Sequence, residues 1–526
     1  MRALRRPAAC AAAAVWLALG AYPGAPAAQE ESSEAGTAAA AVEEITVTAR
    51  KRAESLREIP ESVSALSGFE LEQGQITHIN DIGLQVTNLN LSSRADGNPN
   101  VTIRGVGSFG NTQGVGFYVD GTQIFVDASA EFGDMERLEV LKGPQGTLYG
   151  GSNIGGAVKF VTRRPQLGEW SGNAEAEVGG QSMTNLSATV NAPLGERAAL
   201  RIFGYTKEDE GFVTAIRPER RNGRDSQLET LWPYGVPETF FGADTPNSYT
   251  KDVTERWRRH PNEREEFGFR VSFLAEFDER TRLYAAVRHN ELDGGNNNWR
   301  VEDGNRLQYS RKRELTFAGR NDRETTGGLL ELTRDFDLGS LTYLGALTDA
   351  EGLRTTDLDV STEVGFDLVR PEETRVQTHE LRFTSAGDGP FEWLVGAYYA
   401  KWENDWDSWA TFYQTTDVLC DLFGDCGREG SLGILEPLSA ADRNALPSTD
   451  DDPRLGTPVQ TPSFEQETGN RLYFPFENRD RERTNKAFFA TASYRVGDWE
   501  FGVGARLDRW EADTLERNHN YWVNLL

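Results

Sequence analysis

From residue 166 onward the chain repeats one texture that few folds can accommodate. Phe267, Phe269, Val271, Phe273, Ala275 and Phe277 alternate with Gly268, Arg270, Ser272, Leu274 and Glu276, giving one apolar and one mostly polar face, the period of a β-strand. Similar runs begin near Ala174, Asn185, Ala198, Leu283, Leu329, Leu341, Thr378, Trp393, Ala487 and Trp499, which predicts about eleven strands. The connections sort by parity. Short ones at 193–197, 278–280, 337–339, 386–390 and 497–498 alternate with long ones at 207–264, 291–325, 349–377 and 401–486. The connection at 179–184 is the one brief member of the long set. A soluble sandwich has no reason to sort its loops this way, whereas a membrane-spanning β-barrel has turns on one side and long loops on the other.

The N-terminus indicates export. Arg2, Arg5 and Arg6 precede an apolar run from Ala8 to Tyr22, followed by Ala25-Pro26-Ala27, the pattern of a secretory signal peptide over residues 1–27. Cys10 lies within the apolar run rather than after it, which argues against a lipid anchor. Removing this segment takes away three arginines and no acid, leaving 52 basic against 82 acidic residues and a net charge of −30. Such a chain is repelled by nucleic-acid backbones, which are excluded as partners. No later segment reaches the ~18 consecutive apolar residues of a membrane helix. The mean hydropathy of −0.55 suits either a soluble protein or a β-barrel. Cys420 and Cys426 are the remaining cysteines; a loop disulfide is expected in an oxidising compartment, with a pair of free thiols as the alternative. No histidine stands near them, so no metal site is expected.

Between these ends lie two further segments. Residues 29–42 are rich in Ala, Glu, Ser and Gly, too small and polar to build a core, and residues 28–52 are expected to form a flexible tether. Within it Glu43-Glu44-Ile45-Thr46-Val47-Thr48-Ala49-Arg50 alternates apolar and polar residues, a strand with no neighbour of its own. Then, from 137 to 165, the strand-like runs Leu138–Leu141 and Ala157–Val161 flank a loop containing Gly143, Gly146, Gly150, Gly151, Gly155 and Gly156. Glycine permits the repeated turns and close backbone approach that a confined loop needs. Val101, Ile103, Tyr118, Val119, Ile124 and Phe125 add short strands, and 76–82 a helix, so a small mixed α/β domain is expected over 53–166. Gly105-Val106-Gly107-Ser108-Phe109-Gly110 matches the dinucleotide-binding spacing G-x-G-x-x-G. That reading fails because Asn111, Thr112, Gln113 and Gly114 continue as loop where a helix must begin.

The order of these motifs carries a family resemblance. Ile59-Pro60-Glu61-Ser62-Val63, Val101-Thr102-Ile103-Arg104-Gly105, Tyr118-Val119-Asp120-Gly121, Glu136-Arg137-Leu138-Glu139-Val140 and Gly143-Pro144-Gln145-Gly146-Thr147-Leu148-Tyr149-Gly150 together resemble the plug domain of TonB-dependent outer-membrane receptors. The resemblance implies that Glu44, Ile45, Thr46, Val47, Thr48 and Ala49 are a TonB box, paired on demand with the inner-membrane protein TonB and its proton-driven motor complex. It further implies that the plug apex and outer loops capture an extracellular small molecule, and that the barrel sits in outer-membrane lipid and lipopolysaccharide. Ser108, Phe109 and Asn111 become candidate ligand contacts. Arg104, Glu136, Arg137 and Glu139 are expected to face the barrel lumen and to pair with its wall or stay solvated. No cofactor and no catalytic residue is implied.

Size then separates this chain from a complete receptor. With strands ~4.8 Å apart and tilted ~40°, twelve strands close into a tube roughly 24 Å across and 22 into one of about 44 Å. A compact domain of ~120 residues is about 35 Å across and fits only the larger tube. The expected fold is therefore an outer-membrane β-barrel of about 22 antiparallel strands when complete, with about 11–12 present in residues 167–526, around an N-terminal mixed α/β plug. The chain is expected to be truncated at its C-terminus.

For the ligand, Arg217, Arg220, Arg221 and Arg224, then Arg256, Trp257, Arg258, Arg259 and His260, form a basic cluster in the first long loop. It could attract an anionic ferric chelate or pair with local acids and lipopolysaccharide phosphates. Trp402, Trp406 and Trp409 in the longest connection could stack on a ligand or anchor at the membrane interface. Ferric siderophore uptake leads, with vitamin, oligosaccharide or aromatic-compound uptake behind it and a passive porin or non-functional fragment as the reading of another class. The five histidines show no catalytic or metal spacing, which argues against a hydrolase.

Overall fold

The computed structural model describes residues 46–516, apart from 94–98, 108–113, 125–132, 217–261, 296–311, 315–318, 358–365, 414–470 and a few isolated positions. Among the described residues the N-terminal domain holds ten short strands: β1 (Thr46–Val47), β2 (Glu54–Ser55), β3 (Val63–Ser67), β4 (Leu89–Ser93), β5 (Pro99–Ile103), β6 (Val106–Gly107), β7 (Val115–Val119), β8 (Thr122–Ile124), β9 (Met135–Lys142) and β10 (Gly156–Thr162). Its central sheet has the order β3-β9-β10-β7-β8, with β10 antiparallel to β9 and parallel to β7. Short helices at Gly68–Gln73, Ile79–Gln85 and Gly146–Tyr149 complete it. Ser67 and Glu70 close the first of these with a capping box, which satisfies amides the helix leaves open. The helix expected over 76–82 begins three residues later, at Ile79.

Apolar residues at even positions of β9 and β10 explain the core. Leu138, Val140, Val158 and Phe160 point to one face and pack with Ile82, Val101, Ile103 and Phe117. The opposite face, at odd positions, carries Arg137, Glu139, Leu141, Ala157 and Lys159.

Beyond the N-terminal domain, the described residues form an antiparallel sheet of eleven strands in sequence order. They are β11 (Ser171–Val178), β12 (Thr184–Pro193), β13 (Ala198–Asp209), β15 (Arg264–Asp278), β16 (Thr281–Gly295), β18 (Arg320–Phe336), β19 (Gly339–Asp357), β20 (Phe366–Ser385), β21 (Phe391–Tyr413), β22 (Arg471–Val496) and β23 (Trp499–Glu516). A minor parallel pair joins β14 (Thr214–Ile216) to β17 (Lys312–Glu314). The strands lengthen along the sheet, from 8 residues in β11 to 26 in β22. This corrects the bounds of the long connections: pairing continues well past Asp349, Gln377, Lys401 and Lys486.

The faces of this sheet are inverted relative to a soluble protein. Arg201, Arg270 and Glu380 are buried against the N-terminal domain, and Ser272, Thr378 and Asn485 are buried on the same sheet, whereas Val287, Leu347, Leu381, Phe488 and Leu507 are exposed. On β23 the outward series Trp499, Phe501, Val503 and Leu507 is more than 60% exposed throughout. Eight residues at ~3.3 Å span about 26 Å along the strand and roughly 20 Å across a membrane after tilt, close to the ~25 Å apolar band of outer-membrane barrels. Among the described residues no helix is long and apolar enough to cross a membrane; the crossing elements are strands.

Salt bridges seat the domain against the wall. Asp134, at the head of β9, accepts from Arg201 Nε on β13 at 2.8 Å and from Arg270 Nη2 on β15 at 3.2 Å. Arg164 forks onto Glu331 of β18 at 3.0 and 2.9 Å. Asp134→Ala leaves Arg201 without its carboxylate, while Arg270 keeps the Gly133 carbonyl. The expected cost is about 2–3 kcal/mol, read as a lower urea midpoint for domain unfolding and earlier trypsin cleavage between 135 and 165.

Candidate functional site

The odd-numbered face of β9 and β10 is covered by the chain's own tether. Glu139 and Lys159 are direct cross-strand partners, so the antiparallel register alone brings their charges together, with Lys159 Nζ 2.9 Å from Glu139 Oε2. Arg137 Nε donates to Glu139 Oε1 at 2.8 Å. Onto this triad comes Thr48. Its amide donates to Glu139 Oε1 at 2.9 Å and its hydroxyl at 3.1 Å. Its carbonyl accepts from Lys159 Nζ at 2.7 Å and from the Tyr149 hydroxyl at 3.2 Å. Beside it Val47 is fully buried, packed with Ile59, Tyr118, Leu141, Tyr149 and Ala157.

The surrounding charges favour the ionised form of the Glu139 carboxyl. Burial alone would raise the Glu139 carboxyl, but the charges of Lys159 and Arg137 and the Thr48 amide hold it below the ordinary carboxylate value. Burial also pulls the Lys159 ammonium down, against the attraction of Glu139. A carboxylate whose folded value is depressed stabilises the folded arrangement fully above its unfolded value and loses that contribution as pH falls through the folded value. Docking of Thr48 is therefore expected to persist at neutral pH and to fail only in acid, below about 4.3. A nitroxide at position 46 should be immobile at pH 7 and gain mobility only below that range.

The glycine-rich loop supplies the lid of this site. Asn153, fully buried, donates to the Tyr118 hydroxyl and to the Tyr149 and Gly150 carbonyls at 2.9, 2.9 and 3.2 Å. Tyr118 in turn donates to the Tyr149 carbonyl at 3.0 Å and meets that ring edge-on at 5.0 Å. The turn of Pro144, Gln145 and Gly146 carries Tyr149 into place, with its amide bonded to the Gln145 carbonyl.

Several expectations need correction. The segment around Thr46–Val47 is not an unpartnered strand: it pairs with Glu54–Ser55 and docks on the plug, because the odd face of β9 and β10 would otherwise lie open. The described part of the tether is thus held rather than free. Arg137 and Glu139 pair with each other inside the plug, and Glu136 pairs with Arg137, instead of reaching the wall. Arg104 and Gly105 form an exposed turn with positive φ leading into β6, and Asp120 and Gly121 form a second positive-φ turn in which Asp120 is half-buried and accepts from Thr162. Trp406 and Trp409 belong to β21, since alternation and pairing with β20 continue through them. Glu44, Ile45, Ala49, Ser108, Phe109, Asn111, Arg256, Trp257, Arg258, Cys420 and Cys426 lie outside the described residues. Among the described residues no cluster of metal ligands occurs. Lys159 was missed; its signal was a lone lysine within the apolar run Gly156–Thr162.

Residues 55–157 match the family model of the TonB-dependent Receptor Plug Domain. That segment is a plug domain of the TonB-dependent receptor kind. The chain is 27% identical over 188 residues to the iron-regulated outer membrane virulence protein of Vibrio cholerae, covering 32% of this chain and 28% of that protein. It is 30% identical over 176 residues to the vitamin B12 transporter BtuB of Vibrio vulnificus, again 32% and 28%. The crystal structure of the Pseudomonas aeruginosa ferripyoverdine receptor shares the fold, with a TM-score of 0.57 at 15% identity over 91% of this chain and 55% of that one. The chain thus spans little more than half of that receptor. These relatives are outer-membrane receptors and transporters rather than enzymes, and the outer membrane is where this architecture resides.

Proposed function

We propose that the chain is the N-terminal part of a receptor that imports a scarce nutrient across the outer membrane, foremost a ferric siderophore or other iron complex. Residues 1–27 would be its signal peptide, 28–52 its tether, 53–166 its plug and 167–526 the first part of a barrel of about 22 strands. The relatives' iron-linked names favour iron, while the B12 transporter among them keeps vitamin uptake as the second reading.

One observation carries the coupling role. β1 has only a two-residue neighbour, β2, yet its next residue is gripped through backbone and side chain by Glu139 and Lys159. A short strand so weakly laddered can exchange its neighbour for a partner's strand edge once that grip opens. TonB is the partner proposed, engaging residues 43–50. In cells producing the full-length protein, a cysteine at position 45 should form a disulfide with a cysteine in TonB only when transported ligand is present. Iron-chelate uptake should fall when the gene is deleted. A ligand-independent absence of crosslinking sinks the coupling role, and unchanged ferric-chelate uptake sinks the iron reading alone.

A further inference from the structure

Three consecutive basic residues follow the docked strand, and each grips a different wall strand. Arg50 Nη1 donates to Glu500 of β23 at 2.7 Å while its Nε and Nη2 fork onto Glu54 at 2.9 and 2.7 Å. Lys51 Nζ lies 2.5 Å from Glu380 of β20 and over the rings of Tyr149 and Phe489, 5.3 and 4.8 Å from their centroids. Arg52 reaches β21, with Nη1 2.6 Å from Glu392 and Nη2 2.6 Å from the Trp393 carbonyl. Lys51 has φ 59°, and this single left-handed residue is what lets neighbouring side chains fan out to separate strands. Glu392 and Glu500 stand at the starts of β21 and β23, on the side of the short turns. The tether is therefore held twice in series, by the plug at Val47 and Thr48 and by the wall at 50–52.

We propose that Arg50, Lys51 and Arg52 are positioning residues that keep the tether on the barrel rim while the coupling strand leaves the plug, and so set how far that strand can reach. The inference rests on the coupling role given above. A chain extends at most ~3.4 Å per residue. Held at Arg50, position 46 can move about 14 Å; with 50–52 released the next hold is Leu56, packed in the apolar cluster around Val47 and Tyr149, and the reach grows to about 34 Å. The partner must then come to the mouth of the barrel, and the first pull on the strand loads the wall rather than β9.

The test measures distances between nitroxides at positions 46 and 387 in the full chain, without any partner, so that it is independent of whether TonB binds. In a Val47→Ser, Glu139→Gln variant, which removes the apolar and polar plug contacts, the distribution should widen by no more than ~14 Å. Adding Arg50→Gln, Lys51→Gln and Arg52→Gln should widen it toward ~34 Å. Wall variants Glu392→Gln and Glu500→Gln, which leave plug and tether sequences untouched, should widen it in the same direction. A spread near 34 Å before the basic residues are replaced overturns the proposal, as does a spread that stays near 14 Å after they are. Failure of the coupling role itself appears only in the disulfide experiment with TonB.

Discussion

Glu139→Ala is expected to cost the plug about 3–5 kcal/mol and to release residues 46–48 in the absence of ligand. The carboxylate is fully buried and receives Arg137, Lys159 and the Thr48 amide and hydroxyl. Its removal leaves two buried cations facing each other across paired strands. That repulsion comes on top of the lost hydrogen bonds. Glu139→Gln keeps the shape and one acceptor, so the expected loss is smaller, though the strand should still undock. Urea titration followed by hydrogen exchange in β9 and β10 separates the two effects: the alanine variant should lower protection across both strands, the glutamine variant mainly at Thr48. Full protection of Thr48 in both would mean that Glu139 does not hold it.

Gly156→Ala is the second large effect, through the backbone. Gly156 adopts φ 147°, and a Cβ there would lie 2.1 Å from the Leu141 carbonyl oxygen and 2.8 Å from Ile103 Cδ1. The oxygen belongs to β9, to which Gly156 is paired through Lys142, while Val115 of β7 is its partner on the other side. Neither neighbour can retreat without opening the sheet. Strain and overpacking together give an expected loss of about 3–5 kcal/mol. Gly146→Ala in the same loop is the control: nothing lies within 4 Å of its Cβ, and stability should change by less than about 0.5 kcal/mol. Equal losses at both positions would show that the loop tolerates no side chain for reasons other than this contact.

The wall was legible in the sequence because its physics is local. A period of two places Phe269 outward and Arg270 inward, and each strand repeats that statement independently. Strand ends were less legible: Trp406 and Trp409 sit in a polar, acid-rich stretch, and only pairing with neighbours keeps it extended. The plug motifs were legible by their order, and glycines marked where backbone must pass closely, as at Gly156. The docked strand was not. Thr48 and Glu139 are 91 residues apart, and no periodicity links them. The clues were present, a lysine in the apolar run of β10 and three basic residues beside the coupling strand. They acquire meaning only when the register of β9 with β10 sets Lys159 beside Glu139 and the wall brings three acids to the tether.

The strand Thr46–Val47 is stored on the plug through Thr48, and the exchange rate of the Thr48 amide proton reports on that docking. In the ligand-free protein at neutral pH that amide should exchange slowly, at a rate comparable with Val140 in β9, and should speed up when Glu139 is replaced by glutamine. Exchange at the rate of an unstructured peptide in the unaltered protein would mean that Thr48 is not docked.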